Sequence, residues 1–500
     1  MTKKLVLILT VSALLFPIQG AWAATPQKGG SLTVCQAAEP PTGLDPTSGT
    51  AAAIDRVVYA NIYEGLVKVN DMGEFIPGLA EKWEVSPGGK IYTFHLRKGV
   101  KFHNGESFNA QVAKWNLERA MAEDTKNIHP EYFRVIGKIE TPDDYTLVTY
   151  LKDVDALYIA HLAEGDGVML PMKGYEKANS EPIGTGPFKF VKWVRGDRVE
   201  MARFDGYWNP ELPYLDKVTI KFIGDASAQT AALKAGDIDV IGNLLAPELV
   251  KDFENDKRFK VISGSTTGEV IMSTNNKAAP FDNKKVRQAV AYAIDRQAVI
   301  DLAMFGYGTP IGSHWPPTTP YYNDLTQKFA YNPEKAKALL AEAGYPNGFE
   351  ATIKLPAPYA YSKRAGEVIA DMLTQVGIKL KIEIVEWGVW IDRIFKNKEY
   401  QLTMIGHVEP WDIGIYANPK YYFQYDSQEF RDAFAKALKA PNEMEKAKWF
   451  GKCQEIIAED AVNGYLFVFP SMPTMKANVM GWWRNYPAIA LDCTEVWWKK

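Results

Sequence analysis

Residues 214–242 read YLDKVTIKFIGDASAQTAALKAGDIDVIG, and this stretch decides the fold class. Val218, Ile220 and Phe222 alternate with Thr219 and Lys221, the period of two that marks a strand with one buried face. An alanine-rich run follows and stops at Gly236, a residue type that closes helices because it tolerates the left-handed backbone. A second apolar run comes next. Strand, helix and strand in succession predict an α/β unit.

Working outward, the same signals recur. In YNPEKAKALLAEAGYPNGF, Asn332 caps a helix, Pro333 opens it and Gly344 ends it, with Ala336, Leu339, Leu340 and Ala343 as its apolar stripe. In the preceding segment Val286, Val290, Ala293 and Ile294 share one helical face, and Asp295 is placed to cap the next helix. Ile378, Leu380, Ile382 and Ile384 alternate with charged residues, predicting a strand that delivers Trp387 at its end. Tyr92, Phe94 and Leu96 predict another, before a turn at Asn104 and Gly105. Between Ser180 and Phe188, SEPIGTGPF carries two glycines and two prolines, so the chain crosses there without regular structure.

The chain has 500 residues, 47% hydrophobic and 23% charged, an ordinary globular composition too long for one simple core. Lys3, Lys4, an apolar run from Leu5 to Phe16, and Ala21 and Ala23 read as a cleaved secretory signal peptide over residues 1–23. A periplasmic location follows. The net charge of -3 excludes an electrostatic nucleic-acid binder. Export permits one disulfide among Cys35, Cys453 and Cys493, with Cys453–Cys493 the preferred pair; three buried free thiols are the alternative.

Enzyme signatures are missing: no H-E-x-x-H, no G-x-S-x-G, no phosphate-binding G-x-x-x-x-G-K-[ST] and no C-x-x-C. Six scattered histidines offer no pair at helical ligand spacing, so no metal, cofactor or catalytic residue is expected. The stretch IGHVEPWDIG, residues 405–414, gathers His407, Glu409, Trp411 and Asp412 in one loop. Two carboxylates there could form an acid/base pair, a solvated loop or a ligand contact.

Four segments in register, LAEKWEVSPGGKIYTFHLRKGVKFHNGESFNA, PIGTGPFKF, STNNKAAPFDNKKVRQAVAYAIDRQAVI and YNPEKAKALLAEAGYPNGF, resemble the periplasmic solute-binding proteins of peptide and nickel ABC importers, extracellular solute-binding family 5. The resemblance implies an α/β, two-lobed binding-protein fold (type II, cluster C) with an extra subdomain in the first lobe. Lobe I would take residues 24–67, 183–275 and 470–500, the subdomain 68–182, and lobe II 276–469. Crossings are implied near Ser273–Lys277 and Phe467–Met472. The implied partners are a small peptide-like solute and the importer's permease and ATPase subunits, and the implied state is a monomer.

The resemblance also sets expectations for the site. Glu409 or Asp412 would neutralise a cationic group of the ligand, His407 and Trp411 would lie beside them, and Trp387 with Trp390 would form an aromatic wall. The tract YYFQY, residues 421–425, is a second wall or lobe packing. Where dipeptide-binding members carry a carboxylate-clamping arginine, this chain reads PAPYAYSKR, with only Lys363 and Arg364 nearby. A non-peptide solute such as an opine, an amine or a nickel chelate is the alternative, and an exported hydrolase a more distant one.

Overall fold

The computed structural model describes residues 25–500 apart from 50 and 245, so the leader expected over 1–23 lies outside the described residues. Among the described residues, no helix is long and apolar enough to cross a membrane.

The deciding stretch folds as strand Lys217–Phe222, helix Ala226–Ala235 and strand Val240–Ile241. Asp225 accepts the Ala228 N–H to start the helix, and Gly236 stops it at φ 90°. The two strands do not pair with each other. Strand Ser31–Gln36 lies between them and runs parallel to both, so the N-terminal segment completes the sheet. That sheet has seven strands, in the order 259–261, 474–476, 240–241, 31–36, 217–222, 198–203, 188–194.

A second, six-stranded sheet runs in the order 309–310, 463–471, 264–274, 402–407, 349–356, 378–385. Its core receives the predicted helical faces: Val286, Val290, Ala293 and Ile294 are buried, and Asp295 accepts the Ala298 N–H at 3.1 Å. Strand Ile378–Val385 departs from its pattern. It is the sheet edge, and Ile384 is 48% exposed because no further layer covers that end. A separate four-stranded sheet, 80–85, 91–96, 146–151 and 136–143, carries Tyr92, Phe94 and Leu96 on its buried face.

Sheet membership moves one crossing. Strand Gly264–Thr274 pairs with 402–407 and 463–471, so residues 264–274 belong to the second sheet and the chain crosses just before Gly264, not near Ser273–Lys277. The return lies between strand Asn463–Ser471 and strand Thr474–Lys476, which belongs to the first sheet. The lobes also meet away from these crossings. Ala156 N–H donates to Leu438 O at 2.9 Å, and Phe75 stacks on Trp411 with ring centroids 5.7 Å apart.

The loop SEPIGTGPF is held by a buried acid. Glu64 accepts hydrogen bonds from the Thr185 hydroxyl at 3.0 Å, Tyr207 OH at 2.9 Å and Trp208 Nε1 at 3.0 Å. A Cβ on Gly184 would lie 1.9 Å from Ile62 O, which is why the loop needs glycine there.

The Cys453–Cys493 pairing is corrected. Cys453 sits in the second lobe's core beside Phe450 and Ile457, whereas Cys493 sits in the first lobe's core beside Leu491 and Val496. With Cys35 they are three free, buried thiols. Burial pushes the Cys35 and Cys453 thiols up to about 12, which makes them unreactive. A thiol titration with Ellman's reagent is expected to find no reactive cysteine in the native protein and all three in denaturant without reductant; recovery of a single thiol would restore the disulfide.

Candidate functional site

Strand Gly264–Thr274 is irregular where it matters. Its register against 463–471 shifts between Ser265 and Glu269, and at the shift Glu269 stands opposite His407 of strand Leu402–His407. Glu269 is 2% exposed. Its Oε1 accepts the Trp315 N–H at 2.6 Å, and its Oε2 lies 2.9 Å from His314 Nδ1. The other nitrogen of His314 is 2.6 Å from Asp412 Oδ1. The imidazole, wholly buried, thus lies between two carboxylates, hydrogen-bonded to Asp412 and at ion-pair distance from Glu269.

The electrostatics follow from that placement. Burial disfavours a charged His314, but Glu269 and Asp412 outweigh it and raise the imidazole up to about 10. Burial likewise works against ionised Asp412, yet the His314 charge and hydrogen bond hold its carboxyl well below the usual range. Glu269, with burial dominant and Asp412 near, is shifted upward despite His314.

This changes the reading of IGHVEPWDIG. Asp412 is the partner of His314 and does not border the interlobe cavity described below. His407, 7% exposed, offers Nε2 to Tyr422 OH at 3.0 Å, and Tyr422 OH lies 2.6 Å from Ser273 Oγ. Donor atoms of His407, Glu409 and Asp412 lie within 4.8 Å of one another, a spacing a metal ion could use, but the first and last already have partners. Glu409 is left exposed, and it does border the cavity with Trp411.

The aromatic-wall expectation is corrected. Trp390 is 3% exposed and donates Nε1–H to Thr403 Oγ1 at 2.9 Å inside the second lobe, and Trp387 stacks on its outer face at 5.0 Å. Neither borders the cavity. Tyr422, Phe423 and Tyr425 are buried, so the YYFQY tract is lobe packing. Arg364 donates to Ala303 O, and neither it nor Lys363 reaches the cavity.

The cavity itself, about 350 Å³, lies between the lobes. Asp55, His129, Tyr132, Glu164 and Asp166 line it from the first lobe; Glu269, Trp315, Thr318, Glu409 and Trp411 line it from the second. Among the described residues, no lysine or arginine lines it. Trp315 and Trp411 are both held at positive φ, 92° and 66°, and meet edge to face at 5.9 Å. Strained aromatic backbone is tolerated where surrounding bonds over-determine it; here the Glu269–Trp315 hydrogen bond does so for Trp315.

Sequence reasoning missed Asp55, Glu164, Asp166, Glu269, His314 and Trp315. A lone acid in the apolar helical run AAIDRVV and the GSHWPP motif were the available signals.

The buried imidazolium predicts a pH dependence. A raised folded-state value means its stabilisation is fully present below about 6.5 and lost as pH rises through about 10. Asp412, shifted down, adds stability above its ordinary 3.8 that is lost on acidification. Thermal midpoints of wild type are expected to decline between pH 6.5 and 10. His314→Gln is expected to flatten that alkaline decline and to cost about 3 kcal/mol or more at pH 6, because it strands two buried carboxylates. An unchanged slope in the variant would show that His314 is neutral.

Comparison with known proteins agrees with this architecture. The model of bacterial extracellular solute-binding proteins, family 5 middle, matches residues 74–431. Heme-binding protein A of Haemophilus influenzae is 31% identical over 471 residues, 85% of this chain and 84% of that protein. Glutathione-binding protein GsiB of Pectobacterium atrosepticum is 33% identical over 351 residues, 69% of this chain and 68% of that protein. The periplasmic binding protein DppA of Helicobacter pylori, in complex with the peptide STSA, superposes with a TM-score of 0.74 at 27% identity, covering 95% of this chain and 99% of that one. The chain therefore belongs to family 5 of the bacterial extracellular solute-binding proteins, the two-lobed substrate-binding components of ABC importers.

Proposed function

We propose that this receptor works in the periplasm as a single copy, captures a peptide or peptide-like solute carrying a cationic amine, and breaks no bond in it. One observation carries the reading: among the described residues, the interlobe cavity has five acids on its walls, Asp55, Glu164, Asp166, Glu269 and Glu409, and no lysine or arginine. A cation enclosed there exchanges water for charge-assisted hydrogen bonds. Glu409 is the contact on the second lobe, because Asp412 is engaged by His314. Trp315, Trp411 and Tyr132 supply apolar area of the kind small-solute pockets use. About 350 Å³ suits a solute of di- or tripeptide size.

Because among the described residues no cationic side chain other than His129 borders the cavity, a free peptide carboxylate has little to pair with. That favours a second reading, a non-peptide amine or opine-like solute. Glutathione and haem, named for two relatives, both carry carboxylates and suit these walls poorly.

The deciding experiment is mass spectrometry of solute released from the denatured mature protein, followed by thermal-shift titration with it, since a ligand that prefers the native state raises the midpoint. An amine-bearing peptide supports the first reading and a non-peptide amine the second; an anionic solute lacking any cation overturns both. Glu409→Gln is expected to weaken binding roughly ten- to hundredfold, the size of a lost charged hydrogen bond, while the unliganded midpoint stays put. Conversion of the solute by the protein would overturn the absence of chemistry.

A further inference from the structure

The first lobe's share of the cavity is more acidic than one ammonium requires. Asp55 comes from helix Ala52–Val58, and Glu164 and Asp166 flank Gly165 in the turn that follows helix Tyr158–Leu162. A Cβ on Gly165 would lie 2.1 Å from Asp55 Oδ1, so the Asp55 carboxylate is seated against that glycine, between the other two acids. On these walls the three have one basic neighbour: His129 Nδ1 is 3.0 Å from Asp166 Oδ2.

The remaining groups are short of partners. Asp55 Oδ1 is sealed from solvent and makes no hydrogen bond. Trp315 Nε1 and Thr318 Oγ1, on residues 1% and 8% exposed that line the same cavity, are also unpartnered. Glu269 Oε2 on the same walls also lacks a hydrogen-bond partner but has the His314 imidazole 2.9 Å away; buried polar atoms in native proteins almost always have partners, so the other three orphans mark positions for a solute's own groups. Burial and the Asp166 charge push Asp55 up to about 8, against the opposing charges of Arg56 and His129, and burial with Asp166 and Asp55 raises Glu164 well above the carboxylate range. A cation placed among them would reverse those shifts.

We propose that the cavity takes a solute with two cationic groups, one against Glu409 on the second lobe and one against the Asp55, Glu164 and Asp166 trio on the first. The inference rests on the receptor reading above and narrows its solute to a lysine- or arginine-bearing short peptide or a diamine. The apolar stem between the two charges runs past Trp315 and Trp411.

The test is isothermal titration of the stripped mature protein with matched probes: Ala-Ala-Lys against Ala-Ala-norleucine, 1,5-diaminopentane against pentylamine, and glutathione as the anionic control. The dicationic member of at least one pair is expected to bind tighter than its isostere by roughly tenfold or more. Asp55→Asn with Glu164→Gln is expected to bring that ratio close to one, and Glu164→Gln alone, should the double variant fail to fold, to reduce it severalfold. The pair that responds tells a basic peptide from a diamine. Equal affinities within each pair, a ratio that survives the substitutions, or no binding of any cationic probe up to millimolar concentration overturns the proposal. A monocationic solute recovered from the native protein would also overturn it, yet leave the receptor reading standing.

Discussion

The second lobe's face of the cleft depends on one buried charge, the His314 imidazolium between Glu269 and Asp412. Three distant segments meet there: the irregular strand from Gly264 to Thr274, the GSHWPP loop and the loop leaving strand Leu402–His407. Each segment would otherwise bury a polar group without a partner. Glu269 fixes the Trp315 backbone at positive φ, and Asp412 follows Trp411, itself at positive φ, so the charge triad aims both indoles. Buried ion pairs are poor sources of net stability but costly to break, which makes this one a device for position. Position is what a binding wall requires.

Much of the fold could be read from the sequence because its signals are local. Helix Pro333–Glu342 starts on the Asn332 cap and is followed by Gly344 at φ 93°, both determined within one turn of chain. Strand Ile91–Leu96 buries its alternate residues as its period requires. The failures concern long-range geometry. Nothing near Ser273 says that the strand containing it pairs with residues 402–407 and 463–471, so sequence alone puts the crossing about ten residues late. The exposure of Ile384 has the same origin, since an edge position is a property of the sheet and not of the strand.

The site was harder to read for a similar reason. IGHVEPWDIG puts its polar groups close in sequence, but their roles are set by partners outside it, 98 residues away for Asp412 and 15 for His407. Asp412 is claimed by His314, His407 by Tyr422, and Glu409 has no such claimant and stays at the cavity wall. Trp387 and Trp390 follow the same logic, because the Thr403 hydroxyl and the lobe's aromatic core draw Trp390 inward and Trp387 stacks behind it. The acids of the first lobe carry no motif at all. Asp55 is one carboxylate in an apolar run, and its meaning depends on Gly165, 110 positions further along.

The distribution of charge between the lobes bears on closure. When ionised, Glu409 on one wall and Asp55, Glu164 and Asp166 on the other are of like sign, and burial with the Asp166 charge drives Asp55 and Glu164 toward the protonated form as long as no cation sits among them. In an open cleft, water screens their repulsion; as the lobes approach, water leaves and the effective dielectric falls, so the repulsion grows. The Phe75–Trp411 stack across the cleft is neutral and carries no charge preference among solutes. A solute shifts the open and closed populations only through its differential affinity for the two, and a cation between walls of one sign gains that difference by converting repulsion into attraction on both sides. An anion of the same size and shape would add to the repulsion. On the proposed reading, charge on the walls would act as a condition for closure as well as a source of affinity, and solutes of similar shape would be separated by whether the lobes can shut around them.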